Sequence, residues 1–111
     1  LEYARMQYLR EVVGLSLQNP QDVGIILAEA TCTYRSPLYL GERVTIWARV
    51  SQMRNSSFVF EYRLEGEDGR LVATARTVQA CYEYAASQPV PVPQAWREAI
   101  TAYEPGLQGV D

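Results

Sequence analysis

The residues of this sequence best suited to binding a charged ligand lie in one short turn, at Arg54, Asn55, Ser56 and Ser57. An arginine can bind a phosphate through two parallel N–H groups, while the amide, the hydroxyls and the free N–H groups of a turn add further donors. The pattern is typical of a phosphate-binding element. It is also compatible with a polar hairpin turn whose arginine faces water.

The sequence contains no histidine, and its 10 basic residues are all arginines. Ser-His-Asp and Cys-His nucleophiles, histidine-ligated metals and lysine Schiff bases are therefore excluded for these residues. Acid–base chemistry would have to use carboxylates, hydroxyls, backbone dipoles or water. We expect neither a bound metal ion nor an organic cofactor.

Composition restricts the class of protein. A chain of 111 residues, with 48% hydrophobic and 21% charged residues, is typical of one globular domain. The formal charge of −3 argues against a nucleic-acid partner, and no apolar run is long enough to span a membrane. Cys32 and Cys81 lie in strand-like apolar runs, so we expect buried thiols in a reducing cytoplasm.

Hydrophobic periodicity predicts the elements that position these residues. Apolar residues at three- and four-residue steps predict a helix over residues 1–13, which Gly14 ends, and residues 15–24 predict a loop. No capping residue precedes this helix, so we expect the natural chain to begin upstream. Alternation predicts strands at residues 25–34, 43–53, 58–65 and 71–84, and a last helix begins near Pro93. The class is α+β, with a mostly antiparallel sheet, a meander after Gly41, wrapped around the first helix.

Four short motifs occur in a defined order along the chain. They are Glu2 to Arg5 in the first helix, Tyr34-x-x-Pro37 followed by Gly41-Glu42, the turn Ser56-Ser57-Phe58, and Pro91-x-Pro93 before the last helix. In this order and spacing the chain resembles the hotdog-fold acyl-CoA thioesterases, specifically the 4-hydroxybenzoyl-CoA thioesterase-like group. The resemblance covers nearly the whole chain. It implies a long curved antiparallel sheet wrapped around a central helix, with a short C-terminal helix.

The resemblance implies hydrolysis of acyl-CoA thioesters to the free acid and coenzyme A. A carboxylate or an activated water attacks the carbonyl, and backbone N–H groups at the start of the central helix hold the oxyanion. The family's usual carboxylate would lie upstream of Leu1, so residues 1–111 would form a single hotdog domain lacking its N-terminal strand and loop. Glu2 matches an acidic residue of the family's central helix and is the best visible catalytic candidate. Its alternative role is an ion pair with Arg5.

The resemblance also places the turn Arg54, Asn55, Ser56 and Ser57 beside the nucleotide phosphates of coenzyme A, as substrate-binding residues. Coenzyme A enters as part of the substrate and is not a separate cofactor. An exposed sheet edge is commonly covered by a second copy, so we expect a homodimer or a homotetramer.

Several side chains have two interpretations. Aromatic residues in the second and third strands could wall an acyl pocket, although alternating aromatic residues in strands usually pack in the core. These residues are Trp47, Phe58, Phe60 and Tyr62. Arg76 could pair across the sheet with Glu29 or Glu61, which is the favoured interpretation, or line a ligand groove.

Two other functions are compatible with the same residues. One is a non-catalytic acyl-CoA binding or sensing domain on the same fold, which would keep the phosphate-binding turn but lack the catalytic carboxylate. The other is a purely structural α+β domain, in which Arg54 to Phe58 would form only a hairpin. Release of free thiol from acyl-CoA distinguishes the enzyme from both.

Overall fold

The computed structural model of the chain describes residues 2–14, 24–83 and 87–106. Within these ranges the chain forms two α-helices, one π-helical turn and five strands. In chain order these are α1 at Glu2–Tyr8, the π-helical turn at Leu9–Val13, β1 at Gly24–Tyr34, β2 at Thr45–Met53, β3 at Ser57–Glu65, β4 at Leu71–Glu83, β5 at Gln88–Pro89 and α2 at Gln94–Tyr103. Of the predicted loop at residues 15–24, only Gly24 lies in the described ranges.

The first helical segment ends and the last helix begins where the sequence predicts. Gly14 follows the π-helical turn with φ of 78°, a left-handed conformation that glycine adopts at little cost, and its N–H donates to the Leu9 carbonyl. Pro93 directly precedes α2, where its missing N–H costs no helical hydrogen bond. The helix predictions are therefore confirmed for residues 2–13 and for the segment after Pro93.

The strands form one antiparallel sheet in the order β1-β4-β3-β2, and β5 pairs with the end of β4. The predicted meander of β2, β3 and β4 is confirmed. β1 pairs with β4 rather than with β2, its neighbour along the chain, and therefore lies at one edge of the sheet. The α+β class is confirmed.

The core lies between one face of the sheet and the helices. Strand register places Phe60 opposite Val50 on β2 and opposite Thr77 on β4, so these side chains share the helix-facing side. The Tyr8 ring meets the Phe60 ring edge-on at 5.0 Å. The fully or nearly buried members of the core are Tyr8, Leu9, Val50, Met53, Phe58, Phe60, Tyr62, Ala75, Cys81, Val92, Trp96 and Ile100. Burial of each large apolar side chain contributes roughly 1.5–3 kcal/mol.

An ion pair holds the loop between β1 and β2 against the β3–β4 hairpin. Arg70 binds both carboxylate oxygens of Glu42, with Nη2–Oε1 at 2.6 Å and Nη1–Oε2 at 2.8 Å. The same carboxylate accepts the backbone N–H of Tyr39 and of Glu67. A side chain at Gly66 would lie against the ends of the Glu42 and Arg70 side chains and would displace this pair.

The two cysteines differ in environment. Cys81 is fully buried, as predicted, and burial raises the pKa of its thiol to about 11. The prediction for Cys32 is wrong: this residue is exposed, because it lies on the edge strand β1 beyond the area that the helices cover. Among the described helices, none has the length and apolar character needed to cross a membrane.

Candidate functional site

The four predicted binding residues lie together where β2 turns into β3, with Arg54, Asn55 and Ser56 between the strands and Ser57 as the first residue of β3. The Arg54 N–H donates to the Ser57 carbonyl at 2.8 Å and closes the turn. Arg54 and Asn55 are exposed, while Ser56 and Ser57 are half-buried. The Arg54 guanidinium donates to the Gln52 side-chain oxygen at 3.2 Å, so it remains beside the turn and open to solvent.

Three successive carbonyl groups of this turn point into the protein. Arg97 of α2 donates from Nη2 to the carbonyl oxygens of Arg54 at 2.8 Å and of Asn55 at 3.2 Å. The Asn55 carbonyl also accepts the Val92 N–H at 2.9 Å, and the Ser56 carbonyl accepts the Cys81 N–H at 2.8 Å. The turn is therefore fixed from behind by α2, by the segment before α2 and by β4.

The inward carbonyls determine where the donors of the turn point. In a trans peptide the N–H lies opposite the carbonyl, so the N–H groups of Asn55 and Ser56 point away from the protein body. Within the described residues, neither of these N–H groups has a hydrogen-bond acceptor. Together with the exposed Arg54 guanidinium, these N–H groups form a set of donors without a carboxylate partner among the described contacts of the turn. This arrangement suits an anionic group such as a phosphate.

The catalytic candidate Glu2 is the first residue of α1, and its side chain lies outside the described part of the structure. The catalytic role and the alternative ion pair with Arg5 therefore stay predictions. Arg5 itself donates from Nη1 to the Tyr62 hydroxyl at 3.0 Å. This contact connects α1 to the middle of the sheet.

The Arg5 contact begins a buried polar row that the sequence did not reveal. The Tyr62 hydroxyl and Thr77 Oγ1 are 3.0 Å apart, and Gln79 Nε2 donates to Thr77 Oγ1 at 3.0 Å. Tyr62, Thr77 and Gln79 are each no more than 3% exposed. Because a buried polar group without a partner is costly, these contacts fix the register of α1 over β3 and β4. Alternation along the third strand predicted the face on which Tyr62 lies, but it could not predict these contacts.

Three of the four aromatic candidates are core residues. Phe58 and Phe60 are 0% exposed and Tyr62 is 3% exposed beneath the helices, so the packing interpretation is confirmed for them. Trp47 points to the opposite face, where it is 58% exposed and donates from Nε1 to Glu65 at 3.2 Å. None of these rings touches the turn through a described ring contact or hydrogen bond.

A groove of about 660 Å³ lies on the outer face of the sheet, the face opposite the helices. Arg76 takes the predicted position opposite Glu61 in the register of β4 and β3. Glu61 instead pairs with Arg49 at 2.9 Å, which lowers the pKa of Glu61, and Arg76 forms no ion pair within the described residues. Glu29 lies opposite Val78 and not opposite Arg76. The favoured prediction of a cross-strand ion pair for Arg76 is therefore wrong, and Arg76 lines the groove together with the acyl-pocket candidate Trp47. None of the four residues of the predicted phosphate-binding turn lines it.

A second unpredicted contact connects the two helices to the sheet. Glu104, directly after α2, accepts the Tyr8 hydroxyl at 2.7 Å and the Val50 N–H at 2.9 Å. Burial, and after it the hydrogen bond to Glu104, raises the pKa of Tyr8. Neither Glu104 nor Arg97 has a local sequence signal, since each appears as one polar residue at an amphipathic helix.

Comparisons with known proteins agree with this architecture. A family model described as "Thioesterase-like superfamily" matches residues 1–100. Over 90 residues, the chain is 30% identical to the 1,4-dihydroxy-2-naphthoyl-CoA hydrolase of Synechocystis, covering 78% of this chain. The chain spans 65% of that relative's length.

Solved structures show the same fold. A Pseudomonas aeruginosa protein has a TM-score of 0.79 and 32% identity, over 91% of this chain and 71% of that one. A thioesterase of Thermus thermophilus, solved with coenzyme A and zinc, has a TM-score of 0.76 and 26% identity, over 94% of this chain and 74% of that one. These similarities confirm the fold that the ordered motifs predicted.

Proposed function

Because the chain belongs to the thioesterase-like superfamily, we propose that it hydrolyses acyl-CoA thioesters to the free acid and coenzyme A. The observation that carries the proposal is the geometry of the 54–57 turn, whose carbonyls point inward and whose N–H groups of Asn55 and Ser56 point outward. Two similar proteins, a 1,4-dihydroxy-2-naphthoyl-CoA hydrolase and a thioesterase solved with coenzyme A, support the same substrate class.

In this proposal the turn binds the nucleotide phosphates of coenzyme A. The Arg54 guanidinium supplies a positive charge and a fork of donors. Its hydrogen bond to the Gln52 side chain is exposed, and the acceptor is neutral. The outward N–H groups and the hydroxyls of Ser56 and Ser57 add donors without charge. The pantetheine arm then extends from the turn toward the reacting thioester.

The proposed chemistry is carboxylate-assisted hydrolysis. A carboxylate takes a proton from water while the water oxygen bonds to the carbonyl carbon, and the carbon–sulfur bond breaks as coenzyme A leaves as a thiolate. A thiolate leaves without a strong acid, so the reaction requires neither histidine, a metal ion nor a cofactor. Glu2 is the candidate base among the residues of this chain.

We further propose that the protein acts in the cytoplasm as a homodimer or a homotetramer. The edge strand β1 has 11 residues, and from Ile26 to Tyr34 every side chain is exposed. An exposed strand of this length favours pairing with a second copy of the chain. Free thiols at Cys32 and Cys81 suit a reducing compartment. Light scattering of the purified full-length protein measures the number of subunits directly.

Thiol release from aromatic and aliphatic acyl-CoAs tests the proposal, with coenzyme A binding measured by calorimetry on the same full-length sample. Hydrolysis predicts one free thiol and one free acid for each thioester consumed. Binding without thiol release would replace the enzyme with an acyl-CoA binding or sensing domain. Neither binding nor release would contradict the proposal altogether and leave a structural domain.

A further inference from the structure

We propose that Arg97 is a positioning residue that holds the 54–57 turn in the orientation needed to bind the phosphates of coenzyme A. The inference rests on the proposed function, because it assigns Arg97 a role at the same binding turn. Arg97 itself was not among the residues that the sequence singled out. Its action is through the backbone of the turn and not through contact with the reacting thioester.

Arg97 is attached to a rigid part of the molecule. It lies in α2 between Trp96, which is 7% exposed, and the next core residue of the helix, Ile100, which is fully buried. Its guanidinium extends from this anchored helix to the carbonyls of Arg54 and Asn55. The distance between α2 and the turn is therefore set by the packing of the core.

The two carbonyls differ in how much they depend on Arg97. The Asn55 carbonyl has a second donor, the Val92 N–H. The next carbonyl of the turn, that of Ser56, has its own donor in the Cys81 N–H. Within the described residues, Arg97 is the one donor to the Arg54 carbonyl. Without it, the peptide between Arg54 and Asn55 can rotate, and the outward direction of the Asn55 N–H is lost. The cost to phosphate binding comes from this lost preorganisation.

Binding of coenzyme A and of pantetheine, measured by calorimetry, separates this role from a general structural one. Pantetheine has the arm of coenzyme A without its phosphates, so it reports on the rest of the site. The full-length protein is compared with Arg97→Met, with Arg97→Gln as a second variant that removes the charge but keeps an amide, and with Arg63→Met. Arg63 is an exposed arginine on the outer face, paired with Glu65, so its loss removes one charge without touching the turn.

We expect Arg97→Met to weaken coenzyme A binding about tenfold, with pantetheine binding unchanged and with a cooperative thermal transition. Arg97→Gln should show the same selective loss, since its shorter side chain does not reach both carbonyls. Arg63→Met should bind both ligands like the unmodified protein. Equal loss of both ligands, or a tenfold loss in Arg63→Met, would overturn the inference.

Thiol release measured on the same samples separates this inference from the proposed function. If the unmodified protein hydrolyses acyl-CoA but the Arg97 variants keep its coenzyme A affinity, the positioning role fails and the hydrolase stands. If no thiol is released while the selective loss of coenzyme A binding is seen, the hydrolase fails and the positioning role stands. If the unmodified protein does not bind coenzyme A, both are contradicted.

Discussion

The Tyr8 hydroxyl, at the end of α1, donates a 2.7 Å hydrogen bond to the Glu104 carboxylate directly after α2. The same carboxylate accepts the backbone N–H of Val50 on β2, where the strand register shifts between Val50 and Gln52. One side chain therefore joins both helices to the sheet. The pair fixes the end of the central helix relative to α2, the helix that carries Arg97.

Substitution Tyr8→Phe should lower the free energy of unfolding at pH 7 by about 1–2 kcal/mol, because it removes a hydrogen bond to a charged acceptor while keeping the buried ring. The raised pKa of Tyr8 means that this stabilisation is complete below pH 10 and is lost as the pH rises above it. Urea unfolding at pH 7 and above pH 10 measures the difference in the free energy of unfolding between the unmodified protein and the Tyr8→Phe variant. That difference should narrow at the higher pH.

Tyr103→Phe is the matched control for this hydrogen bond. The Tyr103 ring meets the Tyr8 ring edge-on at 5.7 Å, but it is 60% exposed. Its hydroxyl should contribute little to stability. An equal loss in both variants would mean that the bond to Glu104 is not the cause.

The Glu42–Arg70 pair predicts a loss of stability in acid. Hydrogen bonds from Arg70, and after them the Tyr39 N–H, lower the pKa of Glu42 from 4.5 to about 2. Because the folded pKa is the lower one, the stabilisation is present above pH 4.5 and is lost as the pH falls toward 2. Glu42→Gln should lower the unfolding temperature at pH 7. The difference in unfolding temperature between the variant and the unmodified protein should shrink as the pH falls from 4.5 toward 2.

Thermal unfolding followed from pH 7 to pH 2 checks this dependence, with Glu98→Gln as the control. Glu98 is an exposed carboxylate on α2, so Glu98→Gln should unfold at nearly the same temperature as the unmodified protein. If the difference in unfolding temperature between Glu42→Gln and the unmodified protein stays constant from pH 7 to pH 2, the Glu42–Arg70 pair is not the source of the pH dependence.

Tyr62→Phe should disrupt the buried polar row beneath α1. The variant removes the acceptor of Arg5 and one partner of the buried Thr77 hydroxyl, so we expect a loss of about 1–2 kcal/mol. Tyr34→Phe, which changes a residue that is 80% exposed, is the control and should be close to neutral. Unfolding in urea measures both. Equal stability of the two variants would show that the row does not stabilise the fold.

Local patterns predicted the elements of this fold well. Alternation placed Phe58, Phe60 and Tyr62 on one face of β3, and the strand register confirms that face as the core side. The same rules could not predict that β1 pairs with β4, because pairing partners depend on the fold of the whole sheet. The exposure of Cys32 follows from that pairing, which explains why the prediction of a buried thiol was wrong.

The candidate site was predicted only in part. Arg54, Asn55, Ser56 and Ser57 were visible because a polar turn between two alternating strands has a clear local pattern. Arg97 was not visible, since its bonds to the turn cross 42 and 43 positions of sequence. Such contacts follow from helix packing and have no signature in spacing or composition.

Arg54→Ala should raise KM for acyl-CoA about tenfold and leave kcat within about twofold, because the phosphates bind far from the reacting carbonyl. Steady-state thiol release measures both constants. Arg63→Ala is the control for the loss of an exposed arginine, and its KM should not change. A fall in kcat with an unchanged KM would place Arg54 in the chemical step instead of at the phosphates.

The most direct test of the account is the hydrolysis of one acyl group carried on coenzyme A and on pantetheine by the full-length protein. We predict thiol release from both thioesters, with a KM at least about tenfold lower for the coenzyme A form, since only that form engages the 54–57 turn. Absence of thiol release from either thioester, or equal KM values for the two, would contradict it.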